Sequence, residues 1–123
     1  MQIPQIIRIL VLDDNVEFLD CLKQCLSASQ CLITTASTVK EAREILEKEN
    51  FDLIIADYNL SDCSSKVFIS WLKLYRPEIV IWLMSGGLEP TEHGAQRFFT
   101  KLTILREIKE TIDEFLHHKT RGG

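Results

Sequence analysis

The chain predicts an α/β fold, a five-stranded parallel sheet in strand order 2-1-3-4-5 with helices on both faces. Three observations carry this prediction. Short apolar runs alternate with amphipathic helical stretches along the sequence. The first and third runs are almost continuously apolar, as strands covered on both faces must be. Both end in carboxylates, Asp13-Asp14 and Asp57. If the two runs are neighbouring strands pointing the same way, three acidic groups gather at one rim of the sheet. Unit charges about 4 Å apart repel by roughly 1 kcal/mol in water and by several kcal/mol near a protein surface. A fold bears that cost where a cation or a reaction makes use of it.

The elements follow in order. Residues 6–12 form the first strand, broken only by Arg8. Residues 15–28 form a helix with Phe18, Leu19, Leu22, Cys25 and Leu26 on one face. Cys31 to Ala36 is the second strand. Thr38 and Glu41 make a capping box for a helix whose core face is Val39, Ala42, Ile45 and Leu46. Residues 52–57 are the third strand. A polar stretch from Asn59 to Lys66 leads into a helix carrying Val67, Phe68, Trp71 and Leu72, which Pro77 stops. Ile79 to Met84 and Arg97 to Thr100 are strands four and five. The closing helix shows Ile104, Leu105, Ile108, Ile112, Phe115 and Leu116. Right-handed crossovers leave few topologies, and order 2-1-3-4-5 sets the carboxyl ends of strands one and three side by side at the switch point where ligands bind.

Composition narrows the function. At 123 residues the chain reads as a single domain, residues 1–123, with a mobile polar tail at 117–123. A net charge of −4, with no stripe of Lys and Arg, argues against a nucleic-acid surface. No apolar stretch approaches the roughly 20 residues that span a bilayer. No basic region precedes the first apolar run, so no signal peptide is expected, and the expected address is the cytoplasm. Cys21, Cys25, Cys31 and Cys63 match no zinc spacing; Cys21 and Cys25 read as small buried hydrophobes on the first helix. His117 and His118 read as part of the last helical turn rather than a metal site.

The rim residues suit one chemistry. Mg²⁺ (or Mn²⁺) takes oxygen ligands, usually one or two carboxylates completed by waters and phosphate, and Asp13, Asp14 and Asp57 supply such a set. Strand four ends at the Ser85 hydroxyl. Strand five ends at Lys101, a point charge suited to a phosphate. Phosphoryl transfer needs little beyond positioning and charge neutralisation, and a carboxylate can itself be the nucleophile, giving an acyl phosphate. Taken singly, each residue has a plainer reading. Asp14 or Asn15 caps a helix, Asp57 and Ser85 sit in turns, Lys101 is solvated and Phe98 is core.

The joint pattern resembles the receiver domain of bacterial two-component response regulators, of the chemotaxis-regulator type and flavodoxin-like in fold. The likeness rests on Val11-Leu12-Asp13-Asp14-Asn15, Ile54-Ile55-Ala56-Asp57-Tyr58-Asn59-Leu60, Ser85-Gly86, Gly94-Ala95, Phe98 and Lys101, all in register. It implies a phosphoacceptor switch. Asp57 would take a phosphoryl group from a sensor histidine kinase or phosphotransfer protein. Asp13, Asp14, Asp57 and the backbone carbonyl of Asn59 would hold Mg²⁺. Ser85 and Lys101 would bind the phosphoryl oxygens, and Ser85 with Phe98 would form the switch. Output would pass to another protein, with no direct role for nucleic acid or membrane. Such a switch phosphorylates itself and can lose the group by hydrolysis; it is not a turnover enzyme.

The sequence departs from the family pattern in places. Leu102 replaces the usual proline after the lysine, which leaves the aim of Lys101 open. Ser61 replaces another proline, and Ser64-Ser65 replace an Asp-Gly pair. Only Gly86 to Thr100 separate Ser85 from Lys101, short by roughly two helical turns, so the fourth helix should be a stub or absent. Two further readings compete. One is a receiver-like interaction module that never needs phosphate. The other is a haloacid-dehalogenase-type phosphatase with Asp13 as nucleophile, although Asn15 stands where that family has its second acid and no cap domain fits.

Overall fold

The computed structural model describes residues 6–26 and 30–121. The elements run β1 (Ile7–Leu12), α1 (Val16–Leu26), β2 (Cys31–Ala36), α2 (Val39–Lys48), β3 (Leu53–Asp57), α3 (Ser65–Tyr75), β4 (Val80–Ser85), β5 (Arg97–Thr100) and α4 (Lys101–Arg121). All strand pairs are parallel, and the sheet order is β2-β1-β3-β4-β5, as expected.

Alternation along the strands splits the core into two layers. Leu10, Leu12, Ile54, Ala56, Ile81 and Leu83 pack beneath α2 and α3. Ile9, Val11, Leu53, Ile55, Trp82 and Met84 pack beneath α1 and α4. Each such large aliphatic side chain contributes about 1.5–3 kcal/mol when fully buried, which is why a double-sided strand needs the almost continuous apolar runs seen at β1 and β3. Leu12 pairs with both Ala36 and Ala56, so these strands end level and the next residues share one rim.

Between β4 and β5 no helix forms, in keeping with the short spacing. Residues 86–96 cross irregularly and are held by His93, whose Nε2 lies 2.9 Å from Glu89 Oε2 and whose Nδ1 accepts the Ala95 N–H at 3.0 Å. Gly94 turns the chain with φ of 85°, and a Cβ there would lie 3.3 Å from Ile69 Cγ2, so only glycine fits without strain.

Two expectations change, and a third is borne out with an addition. Cys21 is exposed rather than buried, because α1 turns Leu19, Leu22 and Leu26 inward and Cys21 falls on the opposite face. The expected tail from His117 is helical as far as Arg121, since no glycine or proline interrupts the chain before Gly122; Gly122 and Gly123 lie outside the described residues, as do positions 27–28 of the first expected helix. The Thr38 cap is present, its Oγ1 accepting the Glu41 N–H at 3.1 Å, but the neighbouring donors go to a distant residue. Asp62, in the β3–α3 loop, accepts the N–H groups of Val39 and Lys40 at 3.0 and 3.1 Å. Those backbone bonds, Val39 first, hold the Asp62 carboxyl below the usual carboxylate range.

At the opposite end, Arg76 closes the carboxyl ends of α2 and α3. Its Nη1 donates to Leu46 O at 2.6 Å, Nη2 to Asn50 Oδ1 at 2.9 Å and Nε to Glu78 Oε2 at 3.0 Å. Arg76→Ala should lower stability by about 2 kcal/mol, because charged donors to helix-end carbonyls contribute roughly 1.5–3 kcal/mol. Urea unfolding checks this; a midpoint unchanged from the parent would show these bonds to be replaced by water without loss. Among the described residues, no helix is long and apolar enough to cross a membrane.

Candidate functional site

The rim at the carboxyl ends of β1 and β3 gathers the acidic residues. The Asp13 N–H donates to Ala36 O at 3.0 Å, continuing the ladder one residue past β1 and holding the side chain fully buried. Asp13 Oδ1 accepts the Asn15 N–H at 2.9 Å. Asn15 in turn caps α1, its Oδ1 accepting the Phe18 N–H at 3.0 Å, so the position where a phosphatase of the dehalogenase type needs an acid is a helix cap. Asp57 ends β3 and is also buried; its Oδ1 accepts the Asn59 N–H at 3.1 Å. Asp14 is exposed beside them. One carboxylate oxygen from each of Asp13, Asp14 and Asp57 lies within 4.8 Å of the others.

Lys101 completes the cluster. It opens α4 directly after β5, and its Nζ sits 2.8 Å from Asp13 Oδ2 and 3.1 Å from Asp57 Oδ2. Leu102 therefore does not turn it away from the rim. The ammonium also lies 5.0 Å from the centroid of the Phe18 ring, a cation–π contact with no local signal in the sequence, where Phe18 reads only as core.

Electrostatics follow from burial. Desolvation pushes the Asp57 carboxyl above its ordinary value, and the hydrogen bonds from Asn59 and Lys101 only partly oppose this. Burial alone would lower the Lys101 ammonium, but hydrogen bonds to Asp13 and Asp57 outweigh it and the net shift is upward. Asp13 Oδ2 is fully buried, and the Lys101 ammonium 2.8 Å away is the cation that meets it. One ammonium between two buried carboxylates, with a third carboxylate beside them, leaves the rim with more negative than positive charge. Together with three hard oxygen donors in reach of one point, this excess makes the residues present a fit for Mg²⁺. A groove of about 330 Å³ opens beside the cluster, lined by Asp14, Asn59, Ser61, Ser64 and Ser65 among others, large enough for a phosphoryl group and waters.

The remaining candidates flank this centre. Ser85 ends β4, one residue past the Asp57–Met84 pair, and its Oγ accepts the Gly87 N–H at 3.1 Å. Asn59 is exposed on the groove. Phe98 is half-buried on β5 with its ring centroid 6.0 Å from that of His93. Asp13, Asp14, Asp57 and Lys101 thus form one cluster, Ser85 and Asn59 lie at its margin, and Phe98 packs on the irregular crossing.

Comparisons with known proteins point to one family. The profile of the response regulator receiver domain matches residues 9–113. The response regulator protein PilR of Pseudomonas aeruginosa is 26% identical over 111 residues, covering 85% of this chain and 25% of its own length. The two-component response regulator ARR11 of Arabidopsis thaliana is 26% identical over 123 residues, covering 94% of this chain and 24% of its own length. The chain spans about a quarter of these relatives. Among solved structures, a CheY-like receiver domain protein from Methanospirillum hungatei aligns with a TM-score of 0.84 at 26% identity, covering 97% of this chain and 100% of that one. A two-component response regulator from Clostridium difficile shares the fold, with a TM-score of 0.84 at 20% identity over 94% of this chain and 98% of its own. With strand order, acidic rim and matched residues in agreement, this chain belongs to the response regulator receiver domain family.

Proposed function

We propose that this receiver is a phosphoacceptor switch in the cytoplasm, with Asp57 taking a phosphoryl group from the phosphohistidine of a sensor histidine kinase or phosphotransfer protein. The observation that supports it most is the Lys101 ammonium bridging Asp13 and Asp57 at one buried rim. An Asp57 carboxylate oxygen attacks phosphorus, the bond from phosphorus to the imidazole nitrogen breaks, and an acyl phosphate and free imidazole result. Burial makes this carboxylate more basic, hence a better nucleophile. Mg²⁺ held by Asp13, Asp14, Asp57 and the Asn59 carbonyl would supply the charge that neutralises the phosphoryl oxygens.

Lys101 transfers its ammonium from the carboxylates to the phosphoryl oxygens. Ser85 already accepts the Gly87 N–H, which leaves its hydroxyl proton available for a phosphoryl oxygen. Drawing Ser85 towards Asp57 moves Gly86 and Gly87, and with them the helix-free crossing on which Phe98 packs. The changed surface there is read by a downstream protein.

Beryllofluoride tests the reading, because it forms a stable analogue of the acyl phosphate. Addition with Mg²⁺ should shift the backbone amide signals of Ser85 to His93 in an NMR spectrum, and omission of Mg²⁺ should abolish the shifts. A spectrum untouched under both conditions would instead support the phosphate-independent interaction module.

A further inference from the structure

We propose that Phe18 is a positioning residue for the phosphoryl transfer, its ring keeping the Lys101 ammonium over the rim while Asp57 attacks phosphorus. This role rests on Asp57 being the phosphoacceptor. It adds to the site a side chain from α1 that makes no bond to the reacting atoms.

The lysine needs such a partner. An ammonium at the first position of α4 faces the positive end of that helix dipole. Its four-carbon stem is flexible, and solvent reaches 25% of the side chain. Leu102, the next residue, is 73% exposed and packs too little to fix the direction of the turn. In the resting state Asp13 and Asp57 oxygens hold Nζ at 2.8 and 3.1 Å. Esterification then converts the Asp57 carboxylate into a neutral acyl group, and the hold must pass to the phosphoryl oxygens. A partner whose attraction stays constant through that exchange keeps the ammonium on course.

The Phe18 ring meets this need. Nζ lies over its face, 5.0 Å from the centroid, within reach of a cation–π contact. The ring is itself placed from Asp13. Asp13 Oδ1 accepts the Asn15 N–H at 2.9 Å, and Asn15 Oδ1 accepts the Phe18 N–H at 3.0 Å. With Lys101 Nζ returning to Asp13 Oδ2, the contacts close a circuit through Asp13, Asn15, Phe18 and Lys101. From the other side, Thr100 Oγ1 accepts the Thr103 N–H at 3.0 Å and caps α4, which fixes where the lysine stem begins. Phe18 is half-buried against the layer beneath α1 and α4, so its ring also keeps water from one side of the ammonium. A charge screened less by water acts more strongly on the phosphoryl oxygens. For packing alone leucine would serve; it lacks the negative face of the ring.

Acetyl phosphate with Mg²⁺ tests this, because no contact between Phe18 and a donor protein then enters the rate. The Asp57 oxygen attacks phosphorus and acetate leaves. Phe18→Leu should slow adduct formation, read by intact mass, by about threefold to tenfold, and Phe18→Tyr should stay within about twofold of the parent. A trifluorinated phenylalanine at position 18 nearly keeps the shape but withdraws charge from the ring face, and should slow the reaction as Phe18→Leu does. In a Lys101→Met background these changes should have no further effect, because the ammonium on which they act is gone. Without any phosphoryl donor, the NMR signals of the Lys101 ε-methylene should show a ring-current displacement that Phe18→Leu removes. A fluorinated protein that reacts at the parent's rate would overturn the role, whatever Phe18→Leu does. So would equal slowing in the Lys101→Met background, which would make Phe18 a packing residue, or Lys101 signals without the displacement. A parent that forms no adduct would remove the phosphoacceptor reading and this role with it. An adduct that Asp57→Asn abolishes, formed at one rate with or without the native ring, removes the role alone.

Discussion

Asp57→Asn should abolish the phosphoryl adduct that acetyl phosphate leaves on this protein in the presence of Mg²⁺, and intact-mass measurement should show loss of the whole signal. The substitution is nearly isosteric. The amide oxygen can still accept the Asn59 N–H that Asp57 Oδ1 now accepts at 3.1 Å, so the rim should keep its shape. What disappears is the anionic oxygen that attacks phosphorus, because a neutral amide forms no acyl phosphate. Asp14→Asn should act differently, slowing adduct formation without preventing it, since Asp14 is exposed and contributes to charge rather than to the bond made. Persistence of the adduct in Asp57→Asn would mean that another residue is the acceptor.

The rim could be read in advance because it depends on strand ends. Two apolar runs fix where β1 and β3 stop, parallel pairing sets those ends level, and Asp13 and Asp57 follow from the register Leu12–Ala56. The missing helix was also legible, because chain length between Ser85 and Lys101 is a hard limit on what can be folded there. The Cys21 error has a simple source. Cysteine is commonly buried, but the helical face is set by Leu19, Leu22 and Leu26, and their spacing leaves position 21 outside.

Contacts between residues remote in sequence were not legible. Asp62 anchors the amino end of α2 from the loop after β3, and Arg76 reaches Leu46 O across two helices. Neither residue has a local pattern that marks its partner. The aim of Lys101 is a similar case. Leu102 raised a question about the turn, yet α4 begins at Lys101 itself, and the buried carboxylates ahead of it attract the only ammonium in reach among the described residues. Phe18 beneath that ammonium was legible as a core-face helix residue and no more.

Lys101→Ala should be among the most destabilising substitutions on the partly exposed surface, lowering stability at neutral pH by about 2–3 kcal/mol. Removing one partner from a fully buried ion pair costs roughly 3–5 kcal/mol; the lysine side chain is 25% exposed, so solvent reduces the effect. The sign with pH separates this cause from a general loss of packing. Desolvation already holds the folded Asp57 carboxyl above its unfolded value of 3.8, and loss of the ammonium raises it further. For an acid, a raised folded value means that the folded state binds the proton more tightly than the unfolded state. Stability therefore falls as pH rises through the interval between the two values, and the whole penalty is present above it. Below 3.8 both states are protonated, and the Asp57 share of the penalty should vanish. Mg²⁺ should restore part of the loss at neutral pH, because the buried Asp13 and Asp57 carboxylates gain a cation in place of the ammonium. Urea midpoints for parent and variant at neutral and acid pH, with and without Mg²⁺, measure all of this. A deficit independent of both pH and Mg²⁺ would assign Lys101 a packing role and remove the electrostatic account of the rim.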